Sequence, residues 1–199
     1  MNEIKQLPNK EINSSGSISK KFIESGIDDF HHACQWVKDL QYGYNSNHDD
    51  PLIIFVEKKG ICTTKHGAIA MLAQEIGLDV HKMLGFYKLN EQIVPGTSKI
   101  LDKHGLNYIP QIHCFLSSQM NFVDLTEDNC HGKNKEPDEF DIIFKVRPDL
   151  SETEELEYYK LGLEYYFKRD EKLSNLKKDD LISILKECNE SHEHLCSLR

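Results

Sequence analysis

Cys62 is the residue of this 199-residue chain best placed for nucleophilic chemistry. Apolar residues recur at helical spacing between Gly60 and Gly77, which predicts a helix with Cys62 in its first turn. There the unpaired backbone N–H groups and the positive end of the helix dipole stabilise a thiolate relative to a thiol. The alternative is a small buried side chain, since unpaired cysteines are often core residues.

Two polar residues, His113 and Asp124, interrupt two otherwise apolar strands further along the chain. If residues 118 and 119 form a two-residue loop, His113 and Asp124 lie directly opposite each other, with Cβ atoms about 5 Å apart. The carboxylate would fix the imidazole tautomer, and an imidazolium beside a thiolate forms the ion pair that cysteine nucleophiles use. The alternative is a His–Asp pair in which the two buried side chains only satisfy each other's hydrogen-bonding groups within the sheet, or an aspartate that caps a turn.

Four further residues are candidates for supporting roles. His66 lies four residues after Cys62, and helical side chains lean toward the N-terminus, so it could reach the thiol, support thiolate charge or face the core. Lys65 could also favour a thiolate, although a solvated lysine is the usual outcome. A second oxyanion-hole donor, beside the Cys62 backbone N–H, is expected from the preceding loop, where Gln41 and Asn45 are the candidate amides.

The elements that must position these residues follow from the periodicity of the apolar side chains. Besides the Cys62 helix, predicted helices cover 28–42, 51–59, 151–167 and 176–188. Predicted strands cover 80–87, 111–116, 121–125 and 140–146. Helices and strands are segregated along the chain rather than alternating, which predicts an α+β fold.

The predicted organisation has three parts. A polar N-terminal arm covers 1–26, and its few apolar residues could still dock on the rest of the protein. The predicted catalytic core covers 27–147, and a helical extension packed on that core covers 148–199. Within the core, the long irregular stretch 89–110 is a candidate binding loop, because long insertions in compact domains often carry function.

Composition excludes several partner classes. The chain has 24 basic and 33 acidic residues, a net charge of -9, which argues against nucleic acid and anionic membranes. It contains no apolar run long enough for a signal sequence or a membrane span, so we expect a cytoplasmic protein. Its six cysteines show no disulfide-framework spacing, and most are expected to be thiols. No cofactor and no metal are expected.

One alternative involves metal at the C-terminal end of the chain. The stretch 188–196 carries cysteine and histidine side chains at short intervals, and a zinc-stabilised protein is therefore a competing hypothesis. The spacing is not that of a known zinc motif, and the terminal location favours a solvated tail.

Three short motifs occur in the order Gly60-Ile61-Cys62, His113-Cys114-Phe115 and Asp124-Leu125-Thr126. Together they resemble the transglutaminase-like superfamily of papain-type cysteine enzymes, over residues 28–146. The resemblance implies a papain/transglutaminase-like α+β fold, with the nucleophile helix packed on an antiparallel sheet and extra N- and C-terminal helices. It also implies Cys62 as nucleophile, His113 as general acid/base and Asp124 as the residue that orients His113.

Such enzymes attack an amide or ester carbonyl, form a thioester and pass the acyl group to water or an amine. The resemblance therefore predicts a cysteine hydrolase or acyltransferase acting on an amide of a peptide or protein. Residues 63–66 depart from the aromatic or acidic residues that follow the nucleophile in many members, and the C-terminal helices are not part of the resemblance. A catalytically inactive binding or scaffold module with the same fold is the alternative.

Overall fold

The computed structural model describes residues 3–126 and 139–197, and the side chains of 4–126 and 139–190 among them. Between the predicted strands 121–125 and 140–146 the sequence is polar, and residues 127–138 of this stretch lie outside the described residues. The described part of the chain is α+β with an antiparallel sheet, as the segregated helix and strand signals predicted.

The helices and strands follow the predicted order. The helices are α1 (Ser17–Glu24), α2 (Phe30–Asp39), α3 (Ile53–Glu57), α4 (Cys62–Ile76), α5 (Ser98–Lys103), α6 (Glu152–Phe167), α7 (Glu171–Ser174) and α8 (Lys178–Ser197). The strands are β1 (Gln41–Tyr42), β2 (Lys59–Gly60), β3 (His81–Leu89), β4 (Ile109–Ser118), β5 (Asn121–Val123) and β6 (Ile142–Lys145). None of the helices described is both long enough and apolar enough to cross a membrane.

The main sheet has the strand order β5-β4-β3-β6, and β4 and β5 form an antiparallel hairpin. Its turn residues are Gln119 and Met120, which both adopt positive φ angles, 48° and 70°. Two successive positive φ angles define the type I′ turn that matches the twist of a hairpin. The predicted loop at residues 118 and 119 is therefore wrong by one position, because neither turn residue is the Asn or Gly that normally marks this turn.

The new turn position changes the predicted cross-strand pairing. The observed register pairs Leu116 with Val123, and its extension by one residue places Asp124 opposite Phe115. His113 and Asp124 are therefore not direct cross-strand partners, as the sequence argument assumed. They still lie on neighbouring strands near one end of the hairpin, within reach of each other's side chains.

The described residues divide into two compact units that differ from the predicted domain boundaries. The first unit comprises 3–85, 113–126 and 143–152, and the second comprises 86–112, 139–142 and 153–197. The long stretch predicted as a loop of the core belongs to the second unit together with the C-terminal helices. The difference arises because sequence-distant segments share a core, which a linear boundary cannot represent.

The first unit is built around α4, which contacts α1, α2 and α3. The N-terminal residues are part of this core rather than a loose arm, because their apolar side chains dock there. Ile4, Leu7, Ile18 and Phe22 are buried in the same hydrophobic cluster as α4. The Glu75 carboxylate on α4 also accepts hydrogen bonds from the backbone N–H groups that begin α1.

Helix α4 ends as predicted, because Gly77 adopts the left-handed conformation with a φ of 72°. Another glycine permits a close approach along the same helix. A Cβ atom at Gly67 would lie 2.7 Å from the carbonyl oxygen of Pro148, so the segment that follows β6 can pack against α4 only at a glycine.

The second unit has a core of aromatic residues around α6. The Phe86 ring lies 6.0 Å from that of Tyr159 and 6.3 Å from that of Tyr166, centroid to centroid. Gly162 lies against the Phe86 ring, where a Cβ atom would come within 2.2 Å of it. Tyr159 donates a hydrogen bond to the Pro110 carbonyl at 2.8 Å, which ties α6 to β4 within this unit.

Candidate active site

Cys62 is the first residue of α4, as predicted, and it is half-buried. The extended Ile61 precedes it, and the parallel pairing of β1 with β2 holds the chain just before it, with Tyr42 opposite Gly60. The first backbone N–H groups of an α-helix have no partner within the helix, and they carry the positive end of its dipole. The sulfur of Cys62 therefore lies where a negative charge is stabilised.

His113 and Asp124 form the predicted hydrogen-bonded pair, with a distance of 3.0 Å between His113 Nε2 and Asp124 Oδ2. Both side chains are buried. The other carboxylate oxygen, Oδ1, accepts hydrogen bonds from the Thr126 backbone N–H at 2.8 Å and from the Thr126 hydroxyl at 2.6 Å. The Asp-x-Thr motif thus has a physical basis, because the threonine fixes the carboxylate in the orientation that meets the imidazole.

Cys62 interacts with two consecutive residues of β4, His113 and Cys114. A hydrogen bond from the Cys114 side chain holds the pKa of Cys62 well below its usual value, and the charge and hydrogen bond of His113 act in the same direction. Burial opposes this effect but does not outweigh it. The arrangement favours a Cys62 thiolate at neutral pH.

The partners of His113 define what each ring nitrogen does. A carboxylate only accepts hydrogen bonds. Nε2 of His113 therefore carries a proton and donates the hydrogen bond to Asp124. Nδ1 is then the ring nitrogen left to face the Cys62 thiol, from which it can take a proton. The site therefore has the order of contacts, thiol to imidazole to carboxylate, that a cysteine nucleophile requires.

His66 does not serve as a second base, because backbone groups use both of its ring nitrogens. Nε2 accepts a hydrogen bond from the Leu125 backbone N–H at 2.8 Å, so Nδ1 carries the proton and donates it to the Cys62 carbonyl at 2.8 Å. This tautomer is neutral, and the 3.5 Å approach of Nε2 to Asp124 Oδ1 is therefore not an ion pair. Of the sequence alternatives for His66, the core-facing one is correct.

Lys65 is buried rather than solvated, and its amine binds backbone carbonyls. Its side chain is 2% exposed, and Nζ donates to the carbonyls of Lys38 at 3.1 Å, Leu40 at 2.8 Å and Leu125 at 3.4 Å. Two neighbouring side chains on α4 therefore bind Leu125, the residue after Asp124. His66 accepts a hydrogen bond from the Leu125 N–H, and Lys65 donates one to the Leu125 carbonyl. The expectation of a solvated lysine is wrong, because three non-local carbonyls converge on its buried amine, whereas its support of a Cys62 thiolate stays a prediction.

Replacing Lys65 by methionine tests this buried ammonium group through the pH dependence of stability. Burial lowers the pKa of Lys65 from 10.5 to about 8. Between these two values the unfolded chain binds more protons at this position than the folded chain, so folding becomes more favourable as the pH rises. Relative to Lys65→Met, the wild-type free energy of unfolding should therefore rise through this window, by up to about 3 kcal/mol.

Urea unfolding of both proteins at several pH values within that window measures the difference. Lys20→Met, which replaces an exposed lysine of α1, is the matched control and should show no such rise. Parallel stability curves for the wild type and Lys65→Met would contradict the prediction.

The two candidate oxyanion-hole amides have different environments. The Asn45 amide nitrogen donates to Glu57 Oε2 and to the Lys59 carbonyl, both at 3.0 Å, and its oxygen accepts from the Thr64 hydroxyl at 2.9 Å. Both amide hydrogens are thus used, which makes Asn45 a structural support for the start of α4 and not an oxyanion donor. Gln41 lies on β1 with an exposed side chain and stays a prediction.

No metal or cofactor is needed to explain the described side chains of this site. Asp28, Asp29 and His32 form an exposed group with metal-ligand atoms, but Asp29 already caps α2 by accepting from the His32 backbone N–H. In the proposed C-terminal zinc group, Cys188 is buried and burial raises its pKa to about 11, which favours the thiol over a metal-binding thiolate. The other candidate ligands, 192–196, lie outside the described side chains.

A surface pocket lies against α4. It is lined by Thr63, Thr64, Gly67 and Met71 among others, and its lining does not include the Cys62 sulfur's partners His113 and Asp124. These helix positions lie mainly on the side away from Cys62. Most of the pocket lining lies away from the Cys62 sulfur, but Thr63 lines the pocket and also contacts that sulfur.

Sequence reasoning missed two residues that contact the nucleophile. Cys114 was noted only as the residue between His113 and Phe115, and Thr63 only as part of the sequence after the nucleophile. The Thr63 hydroxyl lies 3.9 Å from the Cys62 sulfur and 3.7 Å from the Cys114 sulfur. The position of Cys114 directly after the predicted base was the signal that could have identified it.

No protein-family model, curated protein or solved structure matches the chain, so the function must be argued from the geometry of this site.

Proposed function

We propose that the protein is a cysteine-dependent hydrolase or acyltransferase of papain/transglutaminase-like type, acting on an amide of a peptide or protein in the cytoplasm. The observation that carries the proposal is the connected arrangement of Cys62, His113 and Asp124, with the Cys62 pKa held well below its usual value. If the only role of the buried His113–Asp124 pair were its own hydrogen bond, a contact with a half-buried thiol at a helix N-terminus would not be expected.

The residues can perform each step of acyl transfer. The Cys62 thiolate attacks the carbonyl carbon, and the Cys62 backbone N–H, together with the exposed Gln41 amide, would stabilise the oxyanion. His113 then donates its Nδ1 proton to the leaving amine, which leaves a thioester on Cys62. For the second step, neutral His113 removes a proton from water or an amine that attacks the thioester, and Asp124 keeps the imidazole in the required tautomer.

The site also has the support that an active triad needs. Thr126 holds the carboxylate, His66 joins the first turn of α4 to the segment that carries Asp124, and Lys65 holds the same segment from its carbonyl side. Buried side chains with satisfied hydrogen bonds lock the geometry of the reacting groups. The formal net charge of -9 further favours a peptide or protein substrate over nucleic acid or an anionic membrane surface.

The experiment that tests the proposal is a comparison of wild type and Cys62→Ala. We expect the wild type to react with a small thiol-reactive electrophile at neutral pH, and to form a mass-detectable acyl adduct on Cys62 from a panel of peptide amides and esters. Cys62→Ala should do neither, whereas Cys34→Ser, which removes a fully buried thiol, should behave as wild type. Equal labelling of wild type and Cys62→Ala would contradict the proposal.

A catalytically inactive module with the same fold predicts a different result. Its Cys62 would react with the small electrophile, since that needs only a thiolate, but no peptide amide or ester would leave an acyl group on it. The two measurements together therefore separate a reactive enzyme site from a binding or scaffold protein.

A further inference from the structure

A second thiol, Cys114, lies beside the nucleophile, and the acyl-transfer steps use it only as a hydrogen-bond donor to Cys62. The Thr63 hydroxyl contacts both sulfurs, at 3.9 Å from Cys62 and 3.7 Å from Cys114. Neither cysteine forms a disulfide in the structure. The two cysteines are 52 positions apart in sequence: Cys62 lies in the first turn of α4 and Cys114 lies on β4.

The two thiols differ in the properties that decide which is oxidised first. Cys62 is half-buried and favours the thiolate, the form that attacks peroxides. Cys114 is 1% exposed, so solvent reaches it little, and its side chain donates toward the Cys62 sulfur. A partly accessible reactive thiolate with a protected thiol next to it is the arrangement of an attacking cysteine and a resolving cysteine.

We propose that Cys62 and Cys114 form a reversible disulfide when the site meets a peroxide, which makes Cys114 a resolving cysteine that protects the nucleophile. The inference rests on the nucleophilic Cys62 of the proposed function, but not on its acyl chemistry. The oxidant is hydrogen peroxide or an organic hydroperoxide, and the disulfide is reversed by a dithiol.

The chemistry balances in two steps. The Cys62 thiolate attacks one peroxide oxygen, the O–O bond breaks, and hydroxide leaves while Cys62 becomes a sulfenic acid. The Cys114 sulfur then attacks the Cys62 sulfur and displaces hydroxide, which takes up the Cys114 proton and leaves as water. The sulfur pair loses two electrons and the peroxide gains them. A dithiol later reduces the disulfide to two thiols and is itself oxidised to a disulfide.

The other described cysteines do not offer the same chemistry. Cys34 is fully buried, and burial raises its pKa well above the usual range. Burial raises the pKa of Cys188 to about 11. Both groups stay protonated and unreactive at neutral pH. A disulfide between Cys62 and Cys114 would block the acyl-transfer nucleophile and prevent its irreversible oxidation to sulfinic and sulfonic acids.

The test treats the full-length protein with hydrogen peroxide at neutral pH and maps its cysteines by mass spectrometry without reduction. We expect a cross-linked peptide pair that joins Cys62 to Cys114, with loss of two hydrogen atoms. Electrophile labelling of Cys62 should fall by about tenfold or more, and dithiothreitol should restore it.

The variant Cys114→Ser should behave differently. Without a resolving thiol, the Cys62 sulfenic acid persists and is captured by a 1,3-dione probe, and prolonged exposure gives sulfinic and sulfonic acids that dithiothreitol does not reverse. Cys114→Ala is a second variant, which lacks both the thiol of the wild type and the hydroxyl of Cys114→Ser. Cys34→Ser is the matched control and should still form the cross-link.

Two outcomes overturn the inference. One is a wild-type protein that goes directly to sulfinic acid on Cys62 without a Cys62–Cys114 cross-link. The other is equal recovery of labelling by dithiothreitol in wild type and Cys114→Ser. Failure of the proposed function looks different, because the cross-link would then form in a protein that takes no acyl group from any peptide amide or ester.

Discussion

Replacing His113 by alanine should slow the alkylation of Cys62 at pH 6 to 7 by about 100-fold, because the thiolate loses its imidazolium partner. In the wild type, the charge and hydrogen bond of His113 add to the Cys114 hydrogen bond in holding the Cys62 pKa well below its usual value. Burial acts in the opposite direction. Without His113, only the hydrogen bonds of Cys114 offset burial, so the pKa of Cys62 should move back toward its usual value.

The sign of the pH dependence follows from the thiolate being the reactive form. The alkylation rate of the wild type should be nearly constant from weakly acidic to neutral pH, whereas that of His113→Ala should rise as the pH approaches the usual thiol pKa of about 8.5. Rates of adduct formation on Cys62 with a small haloacetamide, measured by mass spectrometry across this range, check the prediction.

His32→Ala is the matched control for this experiment. His32 lies on α2 with its side chain 72% exposed, so its removal should leave the alkylation profile of Cys62 unchanged. Circular dichroism of both variants establishes that the fold is retained. A His113→Ala profile that coincides with the wild-type profile would show that Cys62 does not depend on His113 for its charge.

Replacing His66 by phenylalanine should lower the free energy of unfolding by about 2–4 kcal/mol. Phenylalanine has a similar ring but no nitrogen, so the Leu125 N–H loses the acceptor that lies 2.8 Å away, and the Cys62 carbonyl loses a donor. His66 is 0% exposed, and water cannot easily replace these partners. Unfolding in urea, compared between variant and wild type at one pH, measures the loss.

His66→Gln provides the conservative variant. A glutamine amide can donate to a carbonyl and accept from an N–H, so it should recover part of the lost stability. Because His66 joins the first turn of α4 to the segment next to Asp124, His66→Phe should also raise the pH at which Cys62 becomes reactive, and His66→Gln should raise it less. A loss of stability under about 0.5 kcal/mol in His66→Phe would contradict the structural role.

The sequence alone determined the identity of the central residues and the class of the fold. Helical spacing between two glycines placed Cys62 at the start of a helix, and the polar interruptions of two apolar strands indicated His113 and Asp124. These predictions succeeded because they depend on local periodicity, which the chain carries in every short window. The segregation of helix and strand signals similarly predicted an α+β protein.

The hairpin between β4 and β5 shows where local information was insufficient. Its turn lies at Gln119 and Met120, residues that do not mark a type I′ turn. The register is decided by which strand faces must be buried against the rest of the unit. His113 and Asp124 nevertheless meet, because side chains on neighbouring strands can also bond diagonally.

Only the tertiary structure decided which residues support the triad and which do not. Asn45, Lys65 and His66 were each candidates for a supporting role beside Cys62, and the structure shows that each is held by groups far away in sequence. Cys114 acquired a role for the same reason, because the contact of its sulfur with Thr63 spans 51 positions. A buried polar group must find a hydrogen-bond partner, and for these residues the partner comes from a distant segment that sequence spacing does not identify.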